Sequence, residues 1–226
     1  MWFPDPYEGE EDGLVAVGGD LSVDRLLLAY SLGYFPWYSF QHNHEPMWYC
    51  PLQRFVIFPS EIHISHSMKQ LIGQKRYQVS INRDFEGVIN SCAVAQGRNG
   101  EDGAWLGPEM INAYTELHRQ GFAASIEVWE SDDADSQCNV FCWKSKVTND
   151  HLVGGLYGVN IGTAFFGESM FSFVPNASKL ALIYLARTLE ALGGKLIDCQ
   201  FETSHLRSMG GRFIPYDEYI DIIRER

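Results

Sequence analysis

The sequence predicts an α+β protein in two unequal parts: a small N-terminal domain over residues 1–60 and a mixed α/β domain over residues 61–226. Two observations carry this. From about residue 61 helical and strand patterns interleave, and a split there leaves parts of ordinary domain size. Before it, YFPWYSFQHNHEPMWYCP (34–51) is aromatic, proline-studded and aperiodic, reading as a loop wall rather than an element.

The elements follow in order. Ser22 is placed to cap a helix through VDRLLLAYSL that stops at Gly33. Ser65 opens a short helix over HSMKQLIGQ, YQVSIN alternates as a strand, and DFEGVINSCAVA is helical. Pro108 occupies the first turn of PEMINAYTELHRQG, a position that needs no backbone N–H. SIEVW reads as a strand. The acidic stretch that follows, 131–150, is expected to be an exposed hairpin or loop. LVGGLYGVNIG and TAFFGESMFS read as paired strands, and Asn176 is placed to cap the amphipathic helix ASKLALIYLARTLEALGG. The short strand KLIDCQ, a short helix and a C-terminal tail complete the chain.

Composition narrows the function. The 226 residues are 46% hydrophobic and 14% aromatic, a globular balance, and no apolar run reaches the ~20 residues that span a bilayer. The start, MWFPDPYEGEEDG, is acidic and lacks a basic-then-apolar leader, so the cytosol is the expected compartment. Five scattered cysteines argue against a disulfide framework. Cys138 and Cys142 form a lone C-x3-C with no second pair, and His42, His44, His63 and His66 fit a polar loop and a helix start, so no metal site is expected. A net charge of −12 does not suit a broad basic nucleic-acid surface but does suit a cationic substrate.

Polarity in the wrong place marks the chemistry. Leu196 and Ile197 read as a buried strand that ends in Asp198, Cys199 and Gln200, where alternation puts the acid and the amide on one face. Glu168 is embedded among Phe165, Phe166, Met170 and Phe171. A buried carboxylate needs partners or a shifted pKa, and two of them on strands bracketing one helix point to a site rather than to two structural acids. Leu182, Leu185 and Leu189 give that helix an apolar stripe. Trp48 and Trp105, in Pro/Gly-flanked stretches, either stack on a nucleobase or cover a domain junction. There is no P-loop or dinucleotide fingerprint, and RSMGGR misses the R-x-x-G-x-G/A loop of coenzyme A binding at Arg212. Ser169 in GESMF lacks the second glycine of a nucleophile elbow.

Taken together, FPDP, GLVAVGGDLS, RLLLAYSLGYFPWY, HISHSM, SIEVW, LVGGLYGV, GESMFS, NASKLAL and GGKLIDCQ resemble the bacterial leucyl/phenylalanyl-tRNA–protein transferase family, in family order. The resemblance implies a larger domain similar to the acetyltransferase (GNAT) fold, with 131–150 as an insertion. It implies transfer of Leu, Phe and less often Met from aminoacyl-tRNA to proteins beginning with Lys or Arg, marking them for N-end rule degradation, with no cofactor. By motif it implies Asp198 and Gln200 as the catalytic pair with Glu168 beside the acceptor. It implies Trp48 and Trp105 at the terminal adenosine, and Leu156, Phe165, Met170, Leu182, Leu185 and Leu189 around the aminoacyl side chain. That arrangement needs a β-bulge at Gly167, because strict alternation sets Phe165 opposite Glu168 and Met170. Lys69, Lys75 and Arg76 are the expected patch for the tRNA backbone, and a cytosolic monomer without membrane contact is the expected state. The family's WWSP is here WYCP (48–51), and its arginine-rich helix start is thinned to SHSMKQ.

Such a reaction needs a neutral amine to attack an ester that is already activated, so alignment dominates. Either Asp198, oriented by Gln200, takes the amine proton, or the tRNA's terminal ribose hydroxyl shuttles it while Asp198 positions the amine. The acidic pair Glu168 and Asp198 would attract the acceptor's cationic side chain. A coenzyme A-dependent acetyltransferase and a non-catalytic binder of RNA or peptide N-termini are the rival readings.

Overall fold

The computed structural model describes residues 1–38, 45–98, 106–131 and 150–225. A three-stranded antiparallel sheet is built from β1 (Leu14–Val17), β2 (Phe35–Tyr38) and β3 (Pro46–Tyr49), in the order β1-β3-β2. Within the stretch 34–51, expected as loop, residues 35–38 and 46–49 are therefore sheet. Aromatic residues favour strands, and the prolines sit where strands accept them: Pro36 on the edge strand, Pro46 at a strand start. Helix α1 (Val23–Ser31) links β1 to β2. Ser22 precedes α1, but its hydroxyl donates to Asp20 and makes no side-chain cap.

A second sheet draws strands from both sides of residue 60, where the division was expected. β4 (Gln53–Ile57) is an inner strand of a seven-stranded sheet. After it come α2 (His66–Gly73), which Ser65 caps through the Met68 N–H, β5 (Tyr77–Ile81), α3 (Phe85–Arg98), α4 (Pro108–Arg119) and β6 (Ala123–Ser131). The long pair β7 (Asp150–Ile161) and β8 (Ala164–Ser172) leads into α5 (Ala177–Ala191), β9 (Leu196–Asp198) and α6 (Ser204–Ser208). Asn176 precedes α5 in a left-handed conformation without capping it; the Ser172 hydroxyl accepts from the Ser178 N–H instead. What the sequence left as a tail is β10 (Arg212–Pro215) and α7 (Tyr216–Arg224).

The large sheet runs β10-β4-β9-β8-β7-β6-β5, antiparallel except where α5 carries the chain from β8 across to parallel β9. Successive residues serve opposite faces. Phe166 and Leu196 join a core with Tyr30 of α1, Val88 of α3, Tyr114 of α4 and Tyr219 of α7, while Phe165 and Ile197 join one with Leu182 and Leu185 of α5. The β8–β9 centre is thus covered on both sides, where any polar side chain must find partners.

Candidate active site

The register of β7 and β8 places Glu168. Tyr157 pairs with Ser169 and Gly158 with Gly167, which leaves Glu168 as the extra residue of a β-bulge. The bulge was expected one residue earlier, and its consequence holds: Phe165, Glu168 and Met170 all line one cavity. Gly158 makes room for it, since a Cβ there would collide with the Phe166 carbonyl and the Phe165 ring.

The Glu168 carboxyl is 8% exposed. Tyr30 Oη lies 2.7 Å from Oε1, Tyr114 Oη 2.7 Å from Oε2, and the Gln200 side-chain amide donates to Oε1 at 2.8 Å. Burial pushes the carboxyl up to about 7, and the nearby Asp198 charge adds to that against the pull of the donors. A raised carboxyl inside a cavity can hold or release a proton near neutrality.

Asp198 is differently placed. It is 0% exposed and does not line the cavity. Its Oδ1 accepts the Gln200 backbone N–H at 2.8 Å, and its Oδ2 accepts the Tyr219 hydroxyl at 2.7 Å and lies 3.2 Å from Arg54 Nε. Gln200 adopts φ 64°, so the chain turns out of the strand before alternation can set its side chain beside Asp198. Two expectations are corrected by this. Asp198 has no direct path to an amine in the cavity, and its charge is matched to Arg54 rather than offered to a cationic acceptor. The carboxylate and the amide that share the site are Glu168 and Gln200.

The cavity measures ≈ 580 Å³, within the usual range for small-molecule sites. Leu156, Phe165, Met170, Leu182 and Leu185, the residues expected around the aminoacyl side chain, line it. Leu189 does not: it is buried one turn further along α5, packed against Gly194. Gln200, Phe201, Cys199 and Trp37 also line the cavity.

Comparison with known families decides the assignment. The family model described as "Leucyl/phenylalanyl-tRNA protein transferase" matches residues 56–224, and that for the N-terminal domain of the same enzymes matches 19–52. The chain belongs to this family. A leucyl/phenylalanyl-tRNA–protein transferase of Syntrophus aciditrophicus is 47% identical over 99% of this chain and 84% of its own. That of Azotobacter vinelandii is 47% identical over 95% and 85%, and that of Flavobacterium johnsoniae 42% over 100% and 97%. Among solved structures the crystal structure of FemX aligns with a TM-score of 0.48 at 11% identity, over 90% of this chain and 71% of that one, too remote a likeness to carry an argument.

Within this family member, Trp48 is not the loop aromatic expected. It lies in the central strand β3, 1% exposed, with its indole N–H donating to the Gly18 carbonyl at 2.9 Å and its ring edge-on to Phe3 at 5.1 Å. A base has no open face to stack on there. The half-buried tryptophan at the cavity is Trp37, 6.0 Å from Phe201 and 6.4 Å from Tyr49. Trp105, His42, His44, Cys138 and Cys142 lie outside the described residues. No helix among the described residues is long and apolar enough to cross a membrane.

The patch is split as well. Lys69 and Lys75 are exposed, but Arg76 is paired with Glu130 at 2.6 Å. Sequence reasoning missed Tyr30, Tyr114 and Trp37, which read there as ordinary helix and loop aromatics, and His205. The His205 ring lines the cavity, its Nε2 finds no hydrogen-bond partner among the described residues, and burial with the Lys179 charge lowers its pKa. Only a polar residue recurring against an apolar wall could have flagged these, and a single sequence does not display that.

Proposed function

We propose that the protein moves Leu, Phe and less readily Met from aminoacyl-tRNA onto proteins that begin with Lys or Arg, labelling them for N-end rule degradation. Membership of the family supports the reaction class. The observation that carries the reading in this chain is an apolar chamber of ≈ 580 Å³ whose wall includes one buried carboxyl and the amide that touches it. Leu156, Phe165, Met170, Leu182 and Leu185 take the aminoacyl side chain, and apolar selection accounts for Leu, Phe and Met together. Glu168 and Gln200 lie where the ester and the amine meet. Asp198 holds the Gln200 backbone and so acts through it.

Trp37, together with Trp105, is our proposed platform for the terminal adenosine, in place of Trp48. Lys69 and Lys75 meet the tRNA backbone. The enzyme works in the cytosol as a monomer. The α5 crossover between parallel β8 and β9 supports an acetyltransferase-like larger domain in which an aminoacyl ester replaces the acyl thioester. The test is incubation of charged Leu-tRNA with an Arg-initiated peptide. Leucine on the peptide N-terminus is the expected product. Acetyl-CoA turnover instead, or binding of both substrates without transfer, would replace this reading with one of its rivals.

A further inference from the structure

Three contacts among the oxygens of Glu168, Tyr30 and Tyr114 are one proton short. Tyr30 Oη and Tyr114 Oη are 2.6 Å apart, Tyr30 Oη is 2.7 Å from Glu168 Oε1, and Tyr114 Oη is 2.7 Å from Oε2. Each of these contacts has hydrogen-bond length and needs one hydrogen. The two phenols supply only two, and an ionised carboxylate supplies none. With Glu168 ionised, one contact sets two acceptors against each other, and the two phenols, both 0% exposed, have no water to relieve it. A carboxyl proton completes the set.

Gln200 fixes where that proton sits. Its amide donates to Oε1, which makes Oε1 the carbonyl oxygen. The ring then runs one way: Oε2–H donates to Tyr114, Tyr114 to Tyr30, and Tyr30 to Oε1. The groups facing it are Tyr30 from α1, Tyr114 from α4, Tyr157 from β7, Asp198 from β9 and Gln200 beyond it. None of these is a cation, and the buried Arg54 is committed to Asp198. The hydrogen-bond donors pull toward the carboxylate, but burial and the Asp198 charge oppose them and no facing group supplies a positive charge.

We propose that Glu168, Tyr30 and Tyr114 form a closed hydrogen-bonded ring holding one exchangeable proton, and that this ring is the proton store of the transfer reaction. Glu168 is the member that lines the cavity, so the proton leaves and returns through it. As the C–N bond forms and the ester C–O bond breaks, the carboxyl gives its proton to the departing ribose oxygen. The proton shed by the amine nitrogen then restores the ring. One proton moves from nitrogen to oxygen overall and the enzyme ends as it began. Tyr30 and Tyr114 are positioning residues here, and Glu168 is the catalytic one. The raised carboxyl, pushed up to about 7, fits a proton held at rest.

The role in catalysis rests on the transfer reading; the ring itself does not, and it is tested without substrate. Infrared difference spectra of wild type against Glu168→Gln, taken from pH 5 to 9, isolate the Glu168 carboxyl. A protonated-carboxyl band that titrates near neutrality is expected, and an ionised Glu168 throughout would overturn the ring. Tyr30→Phe gives the sharper result. It leaves Tyr114 donating to Oε2 and Gln200 to Oε1, two donors for two acceptors, so no contact demands a carboxyl proton and the midpoint must fall. If Tyr30 were only a donor to a carboxylate, its loss would raise the midpoint, and an unmoved or raised midpoint refutes the ring. In transfer assays the pH midpoint of Tyr30→Phe should move with that of its carboxyl, and Glu168→Gln should lose roughly 100-fold or more in rate at saturating substrates.

Discussion

Arg54 is 1% exposed and Glu168 8%, yet only the arginine faces an opposite charge. Glu168 carries the cost of burial in its pKa, raised from 4.5 to about 7. Between those values the folded protein keeps a proton that the unfolded chain has lost, so stability falls as pH rises through this window and is constant above it. The penalty is on the order of 3 kcal/mol at about 1.4 kcal/mol per pH unit. Glu168→Gln should therefore lose little stability to wild type at pH 5 and gain on it by pH 8, read from urea midpoints at the two pH values. Equal pH dependence in both proteins would mean the carboxyl is not raised. Arg54 behaves oppositely. Its guanidinium lies between the rings of Phe35 and Tyr219, at 4.8 and 4.7 Å, and bonds the Gly33 carbonyl. Removing either partner leaves the other charge buried alone, so Arg54→Met and Asp198→Asn should each cost about 3–5 kcal/mol. The double variant should cost clearly less than their sum, and simple additivity in denaturant unfolding would argue against a coupled pair.

At the scale of elements, the pattern of periods made most of the large domain legible. The alternation in YQVSIN, the strand read in SIEVW and the stripe of Leu182 and Leu185 became β5, β6 and α5. Legibility failed where local chemistry overrides period. β2 and β3 were hidden by Pro36 and Pro46, whose edge and first-residue positions only the sheet order reveals. Gln200 was misplaced because a left-handed residue ends the alternation that would have paired it with Asp198. The bulge was foreseen at Gly167 from the need to gather Phe165, Glu168 and Met170, but it falls on Glu168 because Gly158 is the glycine that lets β7 approach β8. Gly158→Ala should accordingly cost about 1–3 kcal/mol from overpacking and lower transfer by shifting Glu168, while tRNA binding persists. An alanine that is neutral in thermal unfolding and in turnover would show that the bulge does not depend on this contact.

On the scale of the whole molecule, a chain of net charge −12 must still meet a polyanion. Each phosphate neutralised adds to the slope of affinity against salt, so that slope counts the cations the surface can spare. Arg76 is not one of them. Its guanidinium lies 2.6 Å from Glu130 across the β5–β6 pair, and the two charges cancel at any distance a phosphate would sense. Lys69 and Lys75 are exposed, and among the described residues neither has an acid within ion-pair distance. We expect a shallow slope for charged tRNA, equivalent to roughly one to three phosphate contacts, with the remaining affinity from adenosine stacking and side-chain burial. Lys69→Ala with Lys75→Ala should weaken binding at low salt and flatten the slope. Arg76→Ala should change little, since it removes a cation already matched. Glu130→Gln is the decisive variant: it frees Arg76 without adding a group, and should steepen the slope by about one contact while tightening Kd at low salt. If the slope is unmoved by Glu130→Gln and survives the double lysine substitution, the tRNA backbone crosses a different face of the protein.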